Sequence, residues 1–342
     1  MSRIIGLIVV LSAFISASAQ TAKKSMFNHL DASVTLGTTG IGFDLSMPVV
    51  ENWVDVRVGG AFMPHFNHNM SFGVQVGDDP STSNSKFNRL SDMLEDFTGT
   101  RVDDRIDMKG TPLLSNFKLM VDVYPFRNKH WHLTAGFYLG NSDIAEAVNI
   151  QEDMPSLFAI KMYNHMYDKF AHYQRDEQGY LPDEFYNLSI FSIGSYKIND
   201  PDALEAMYDK LTSSGRMGIH VGDYSHDVVD AMGNIVHRKG EAYRMEPDDN
   251  SMVSARASVN KFKPYLGFGY GGRLIKGNDN WKVSFDAGVL FWGGKPSIMT
   301  HDGTDLVNDV ENISGKVGDY IKVIKKFSVY PVLNVRITRR IF

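Results

Sequence analysis

The stretch FSVYPVLNVRITRRIF, Phe327 to Phe342, decides the fold class. Phe327, Val329, Leu333, Val335 and Ile337 fall on one parity, and Ser328, Tyr330, Asn334, Arg336 and Thr338 on the other. Alternation with period two marks a strand with one apolar and one polar face. The phase slips at the end: Phe342 shares the polar parity, while Ile341 continues the apolar one past Arg339. A bulge near Thr338–Arg340 would restore the phase of the terminal aromatic.

Seven earlier segments carry the same pattern: Asp31–Gly37, Gly40–Met47, Trp53–Phe62, Ser115–Tyr124, Trp131–Leu139, Phe262–Gly271 and Trp281–Phe291. Strands of about 9–11 residues at a steep tilt suit a barrel that crosses hydrocarbon. The connections sort into two kinds. Pro48–Asn52, Phe126–His130 and Gly272–Asn280 are short; Thr38–Gly40, Met63–Leu114, Asn141–Lys261 and Trp292–Lys326 fall at the opposite end, and three of them are long. Short turns at one end and long loops at the other belong to an up-and-down antiparallel transmembrane barrel, with its termini periplasmic and its long loops extracellular. The reading is therefore an all-β transmembrane barrel of about eight strands, with a ninth and tenth available at Val102–Met108 and Met252–Val259, carrying a folded α+β loop insertion.

The N-terminus reads as a signal peptide, residues 1–19. Arg3 precedes an apolar run to Ile15, and Ala17 and Ala19 form a small-residue cleavage site, which makes 20–342 the barrel chain. The sequence has no Cys, which excludes disulfides, thiolate metal sites and Cys nucleophiles. With 35 Lys and Arg against 40 Asp and Glu, scattered along the chain, nothing invites nucleic acid.

If the apolar parity faces lipid, the other parity lines the interior. It carries Asp44, Asp55, Asp122 and Asp286 with Arg57, Lys118, Lys263, Lys282 and Arg336. The lumen of an eight-stranded barrel is just wide enough for side chains to fill it. Buried charges must pair there, so the near balance of signs predicts a plugged, salt-bridged lumen. The alternative is an aqueous channel lined by both signs. Gly267, Gly269 and Gly271 leave room for large neighbours. Trp53, Trp131 and Trp281 each start a strand after a short turn, Tyr124 and Tyr270 end strands at the same level, and Trp292 lies at the far end. Together they are expected to form interfacial aromatic girdles.

The strands, the "VDVYPF" ending one of them, "KPYLGFGYGG" and the terminal "RITRRIF" together resemble outer-membrane β-barrel proteins of Bacteroidota. In plan the chain is similar to small eight-stranded barrels such as the OmpA transmembrane domain and OmpW. The resemblance covers about a third of the chain. It implies an outer-membrane location, contact with outer-membrane lipid and assembly by the barrel-insertion machinery, and it implies no particular activity.

The loops hold most of the remaining chain: 64–114, 141–261 and 292–326. Phe158, Met162, Met166 and Phe170 predict an amphipathic helix over Pro155–His172. Asp200–Pro201 starts a second helix, striped by Leu204, Met207 and Leu211 and closed by Gly215. Lys86–Phe97 predicts a third, and Leu306–Ile324 a fourth interrupted by glycines. Arg216–Tyr224 and Asp230–Arg244 read as short strands extending the barrel wall. Catalytic signatures are absent from the sequence: it contains neither a G-x-S-x-G elbow nor a phosphate loop. His65 and His68 with Met70 lack a third metal ligand, and the acidic runs Asp302, Asp305, Asp309, Glu311 and Glu246, Asp248, Asp249 lack EF-hand spacing. Cofactor and metal are therefore expected to be none. The expected function is a non-enzymatic outer-membrane barrel that presents a surface cap to an unknown ligand or protein partner, or serves in an outer-membrane complex. Its alternatives are a small solute channel and a surface hydrolase using His301 with Asp302 or His220 with Asp223.

Overall fold

The computed structural model describes residues 28–77, 80–99, 101–187, 200–313, 315–326 and 328–341. The expected signal peptide lies outside them, as do Phe327 and Phe342.

In chain order the strands are β1 (Asp31–Gly37), β2 (Gly40–Val50), β3 (Val54–Phe62), β4 (His68–Val76), β5 (Arg105–Pro112), β6 (Ser115–Val123), β7 (Trp131–Gly140), β8 (Asp143–Asn149) and β9 (Met217–Tyr224). They continue with β10 (Val228–Val229), β11 (Ile235–His237), β12 (Ala242–Met245), β13 (Ser254–Ser258), β14 (Phe262–Ile275), β15 (Asn278–Phe291), β16 (Ser297–Thr300), β17 (Val310–Glu311) and β18 (Val329–Arg340).

Eight of these close into a barrel in the order β1-β18-β15-β14-β7-β6-β3-β2, all pairs antiparallel. Closure gives each of the eight strands a hydrogen-bonded neighbour on both sides. The period-two pattern settles which way the strands face. Outward-pointing Leu36, Phe285 and Leu333 are 65%, 61% and 59% exposed, while Thr35, Asp286 and Arg336 on the other parity are buried. A soluble barrel would bury the first set and wet the second; here the polarity is reversed around the whole wall. Several strands are longer than their pattern predicts: β2 runs on to Val50, and β14 and β15 run to Ile275 and from Asn278, leaving a tight turn at Lys276–Gly277.

The long loops do not leave the wall; five staves grow through it. The second sheet has the order β12-β9-β4-β5-β8-β13-β16, with β17 beside β9. Its run β4-β5-β8-β13-β16 repeats the barrel run β3-β6-β7-β14-β15, each strand following or preceding its barrel partner across a short break. The segments Val102–Met108 and Met252–Val259 therefore do form strands, β5 and β13, but as extensions of existing staves and not as additional ones. Asn141 pins one break. Its Oδ1 accepts from Ser115 N at 3.1 Å, and its Nδ2 donates to Leu113 O and Asp143 O at 2.5 and 2.6 Å.

Helices pack on this sheet. The Pro80–Thr98 helix lies on β4, burying Phe87, Leu90 and Leu94. The Met154–Ala171 helix packs against the Pro201–Ser214 helix and β9. Its buried face is Leu157, Ile160, Tyr163, Met166 and Phe170; Phe158 of the expected stripe is exposed, because the apolar face runs at i, i+3 and i, i+4 from Leu157. Asn164 clamps β9 from the helix, accepting from Met217 N at 2.9 Å and donating to Met217 O at 2.7 Å. Asp200 caps the second helix by accepting from Asp202 N at 3.1 Å. The helix expected over Leu306–Ile324 begins only at Gly315 and runs to Lys326. Upstream of it, Asp305 accepts from Ile298 N and Val307 N, and Asp309 from Asp305 N, so side chains hold that segment in turns.

The larger of the two cores lies in this insertion, around Val76, Ile106, Leu157, Ile160, Leu211 and Ile219. Ile160→Ala should cost about 2–5 kcal/mol of local stability. Limited proteolysis should then cut within 141–261 far sooner than in the parent, while the barrel strands remain protected.

Candidate functional site

Within the lumen the fold gathers charged side chains and shields them from solvent. At its centre stands Arg336 on β18. Its Nη1 reaches Asp122 Oδ2 on β6 at 3.2 Å, and its Nε reaches Asp286 Oδ2 on β15 at 3.2 Å and Ser284 Oγ at 3.0 Å. Arg57 on β3 donates to the other oxygen of Asp122 at 3.0 Å, which also accepts from Thr134 at 2.6 Å. His132 on β7 places Nε2 2.7 Å from Asp286 Oδ1. A carboxylate only accepts, so Nε2 carries the proton. The 3.2 Å approach of Arg336 Nη2 to the same nitrogen is then packing and not a hydrogen bond. Lys118 and Asp44 form a second node, 2.9 Å apart, with Thr35 donating to Asp44 at 3.1 Å.

The structure places the other charges of the inner parity differently. Asp55 lies opposite Asp122 across the β3–β6 pair and hydrogen-bonds Tyr124. Lys263 is fully buried yet has no carboxylate partner among the described residues. Its Nζ donates to Asn116 Oδ1 at 2.9 Å and to the carbonyls of Asn141 and Lys261 at 3.1 and 3.4 Å, so neutral oxygens at the wall break hold it. Lys282 sits at the short-turn mouth, half-exposed, 3.6 Å from Asp31. His132, Thr35, Thr134, Ser284 and Asp31 belong to the same interior; each sits on the polar parity, which is the signal that finds them.

Two of the residues expected in the girdles turn inward. Tyr124 is two positions after Asp122, faces the mouth cavity and packs its ring 5.4 Å from His132. Trp292 is two after buried Leu290 and stacks on Tyr330 at 5.3 Å. In both cases period two continues past the strand end and overrides the level along the barrel. Trp53, Trp131 and Tyr270 are exposed on the outer wall, and Trp281 lines an outer groove. Trp131 and Tyr270 meet edge to face at 4.9 Å, and Lys129 sits 3.7 Å over the Trp53 ring.

Towards the long-loop end an apolar plug covers the ion pairs: Ala61, Met120, Tyr138, Tyr265, Leu290 and Val332. Tyr138 and Tyr265 are 2% and 4% exposed and meet at 5.9 Å. Glycines make the room. A Cβ on Gly267 would stand 2.4 Å from the Tyr265 hydroxyl, and one on Gly269 would stand 2.3 Å from Asp286 and 2.4 Å from His132. The short-turn mouth stays open, as a polar cavity of about 710 Å³ floored by Asp122, His132 and Arg336. The lumen is a filled rod with one wet end.

The loop candidates for catalysis come apart. His301 spends Nε2 on Glu246 O at 2.8 Å and sets Nδ1 against the Ser254 backbone, while Asp302 accepts from Thr300 and Tyr243 instead. Burial pushes the Asp302 carboxyl up, but hydrogen bonds from Thr300, Thr304 and Tyr243 outweigh it and hold the group below the usual carboxylate range. His220 and Asp223 are 3.9 Å apart, too far for a hydrogen bond. His65 and His68 are exposed, and among the described residues no cluster of three His, Asp or Glu is arranged to hold a metal. Asp248 accepts from Asn250 N and Met252 N, while Glu246 pairs with Arg216, so both acidic runs serve turns and ion pairs.

Fold and site together define a closed, antiparallel eight-stranded barrel with an ion-paired lumen and an apolar outer wall. No family model matches the chain, and no curated protein matches it. Among solved structures it is similar to CarO of Acinetobacter baumannii, with 14% identity, 92% of this chain and 99% of that chain covered, and a TM-score of 0.36. CarO2 of the same organism gives 15% identity, 93% and 100% coverage and a TM-score of 0.34. A major outer membrane protein from Thermus thermophilus gives 9% identity, 91% and 98% coverage and a TM-score of 0.27. Values this low leave the reading of the site to its own geometry.

Removing the central cation takes a partner from two buried carboxylates. Arg336→Met should cost about 3–5 kcal/mol, and adding Asp286→Asn to it should recover part of the loss, because Asp122 keeps Arg57 as its partner. Urea unfolding in detergent, followed by gel mobility of unboiled protein, measures both. For Asp302, the depressed folded value means its contribution is complete above the unfolded value of about 3.9 and fades as the pH falls through the folded one. Proteolysis of the 297–313 segment should therefore quicken below about pH 4 in the parent. That acid sensitivity should disappear in Asp302→Asn.

Proposed function

We propose that this chain is an outer-membrane barrel that acts as an anchor, with its folded insertion held outside the cell to bind a partner. The observation that carries this is the allocation of structure. The lumen is sealed by ion pairs and an apolar plug, while the larger core and all the described helices belong to the long loops. The apolar outer wall with Trp53, Trp131, Trp281 and Tyr270 near the short turns supports a membrane setting, with those turns and both chain ends periplasmic. No helix among the described residues is long and apolar enough to cross a membrane, which leaves the strands to do so. The resemblance of the strand sequences to Bacteroidota barrels is in keeping with this placement. The loop histidines favour no hydrolase, and buried side chains across the lumen disfavour a channel.

The protein should need detergent for extraction and migrate faster on gels before boiling than after. In planar bilayers it should be electrically silent. Protease added to intact cells should trim 141–261 and leave the barrel. A crosslinked partner should be lost when those residues are replaced by a short turn in a barrel that still shows the unboiled shift. Discrete conductance steps, or solubility without detergent, would overturn the reading.

A further inference from the structure

On the outer wall a groove of about 680 Å³ runs over Ala32. Phe43, Trp281 and Ile337 line it, and Arg339 and Ile341 border it too. The groove exists because Ala32 is small: on its rung it stands between Leu45 and Arg339, and Arg339 in turn faces Trp281. The register of β18 with β1 runs without a shift to Asp31↔Arg340. No bulge interrupts β18 between Thr338 and Arg340, so Arg339 stays on the outward, apolar parity. It is exposed, has no carboxylate partner among the described residues, and holds its guanidinium 5.4 Å from the centre of the Trp281 ring.

A cation on the lipid face of a barrel is costly at mid-depth and tolerated at the headgroup level. The indole beside it marks that level. The neighbouring cations Arg340 and Lys282 turn inward to Asp31, which leaves Arg339 as the outward charge of this rung. A guanidinium fork matches a phosphate with two parallel hydrogen bonds, and every phospholipid carries one. We propose that this groove seats one phospholipid of the leaflet at the short-turn end, with Arg339 and Trp281 holding the phosphate and one acyl chain running from Ala32 over Val34, between Phe43 and Ile337. This rests on the membrane placement proposed above.

Native mass spectrometry of the full chain in detergent tests it, with phosphatidylglycerol against dioleoylglycerol, which has the same chains and no phosphate. The expected result is one retained phosphatidylglycerol and little dioleoylglycerol. Arg339→Gln should lower retention about tenfold, and so should Ala32→Leu, which fills the groove. Arg273→Gln, removing an exposed arginine at the same end that pairs with Asp279, should change nothing. Equal retention of the two lipids, or parental retention in folded Arg339→Gln, means annular lipid only and overturns the proposal. If Arg339→Gln does not reach the fast-migrating form, Ala32→Leu decides alone. A protein soluble without detergent would sink the membrane placement itself; a detergent-requiring barrel indifferent to both substitutions would sink only the lipid seat.

Discussion

The guanidinium of Arg336 is the constraint on which the barrel depends. It bonds carboxylates on β6 and β15 from its own place on β18, and through Asp122 and Asp286 it reaches Arg57 on β3 and His132 on β7. Five staves therefore meet at one charge. A group this buried is tolerated only because each partner oxygen has a donor, and removing any member leaves another uncompensated. Once charges fill the interior, the outer face of every strand is left to the apolar residues. The alternation of Phe327 to Thr338 follows from that single arrangement, as does its repetition seven times over.

The molecule holds two cores of opposite kind. The barrel puts polar side chains inside and apolar ones outside, and its apolar plug is a thin layer between Met120 and Val332. The insertion follows the ordinary rule, with an aliphatic and aromatic core between sheet and helices. The change of rule falls at the wall breaks, where Asn141 bridges strand ends and Lys263 donates to three neutral oxygens. These groups bridge the end of one hydrogen-bond ladder and the start of the next, giving donors to carbonyls at the gap.

Most of the barrel is legible because period two is imposed on every stave by a two-sided environment. Asp44, Arg57, Lys118, Asp122, Asp286 and Arg336 fall together for the same reason. Tyr124 and Trp292 defeat a reading by level, since parity and not height decides where their rings point. The partner of Lys263 is hidden because a backbone carbonyl has no letter in the sequence. The wall extensions are harder still. β8 is short and half-buried on both faces, so no alternation distinguishes it from loop, while β13 is legible as a strand but not as an extension of β14. The 302–309 segment mimics a helix by its Leu306–Val307 pair, yet its aspartates bind the backbone in turns.

The five extended staves are β3, β6, β7, β14 and β15; β1, β2 and β18 carry no extension. Those three include both ends of the barrel path and the β1–β18 seam that closes the cylinder. The seam is also the pairing of greatest sequence separation, and hence the slowest to find. Because no extension strand pairs above β1, β2 or β18, the second sheet rests on the middle staves alone and does not need the β1–β18 ladder to form its own. The last ladder can then zip from the β1–β2 turn to Arg340 without a second-sheet strand having to follow it.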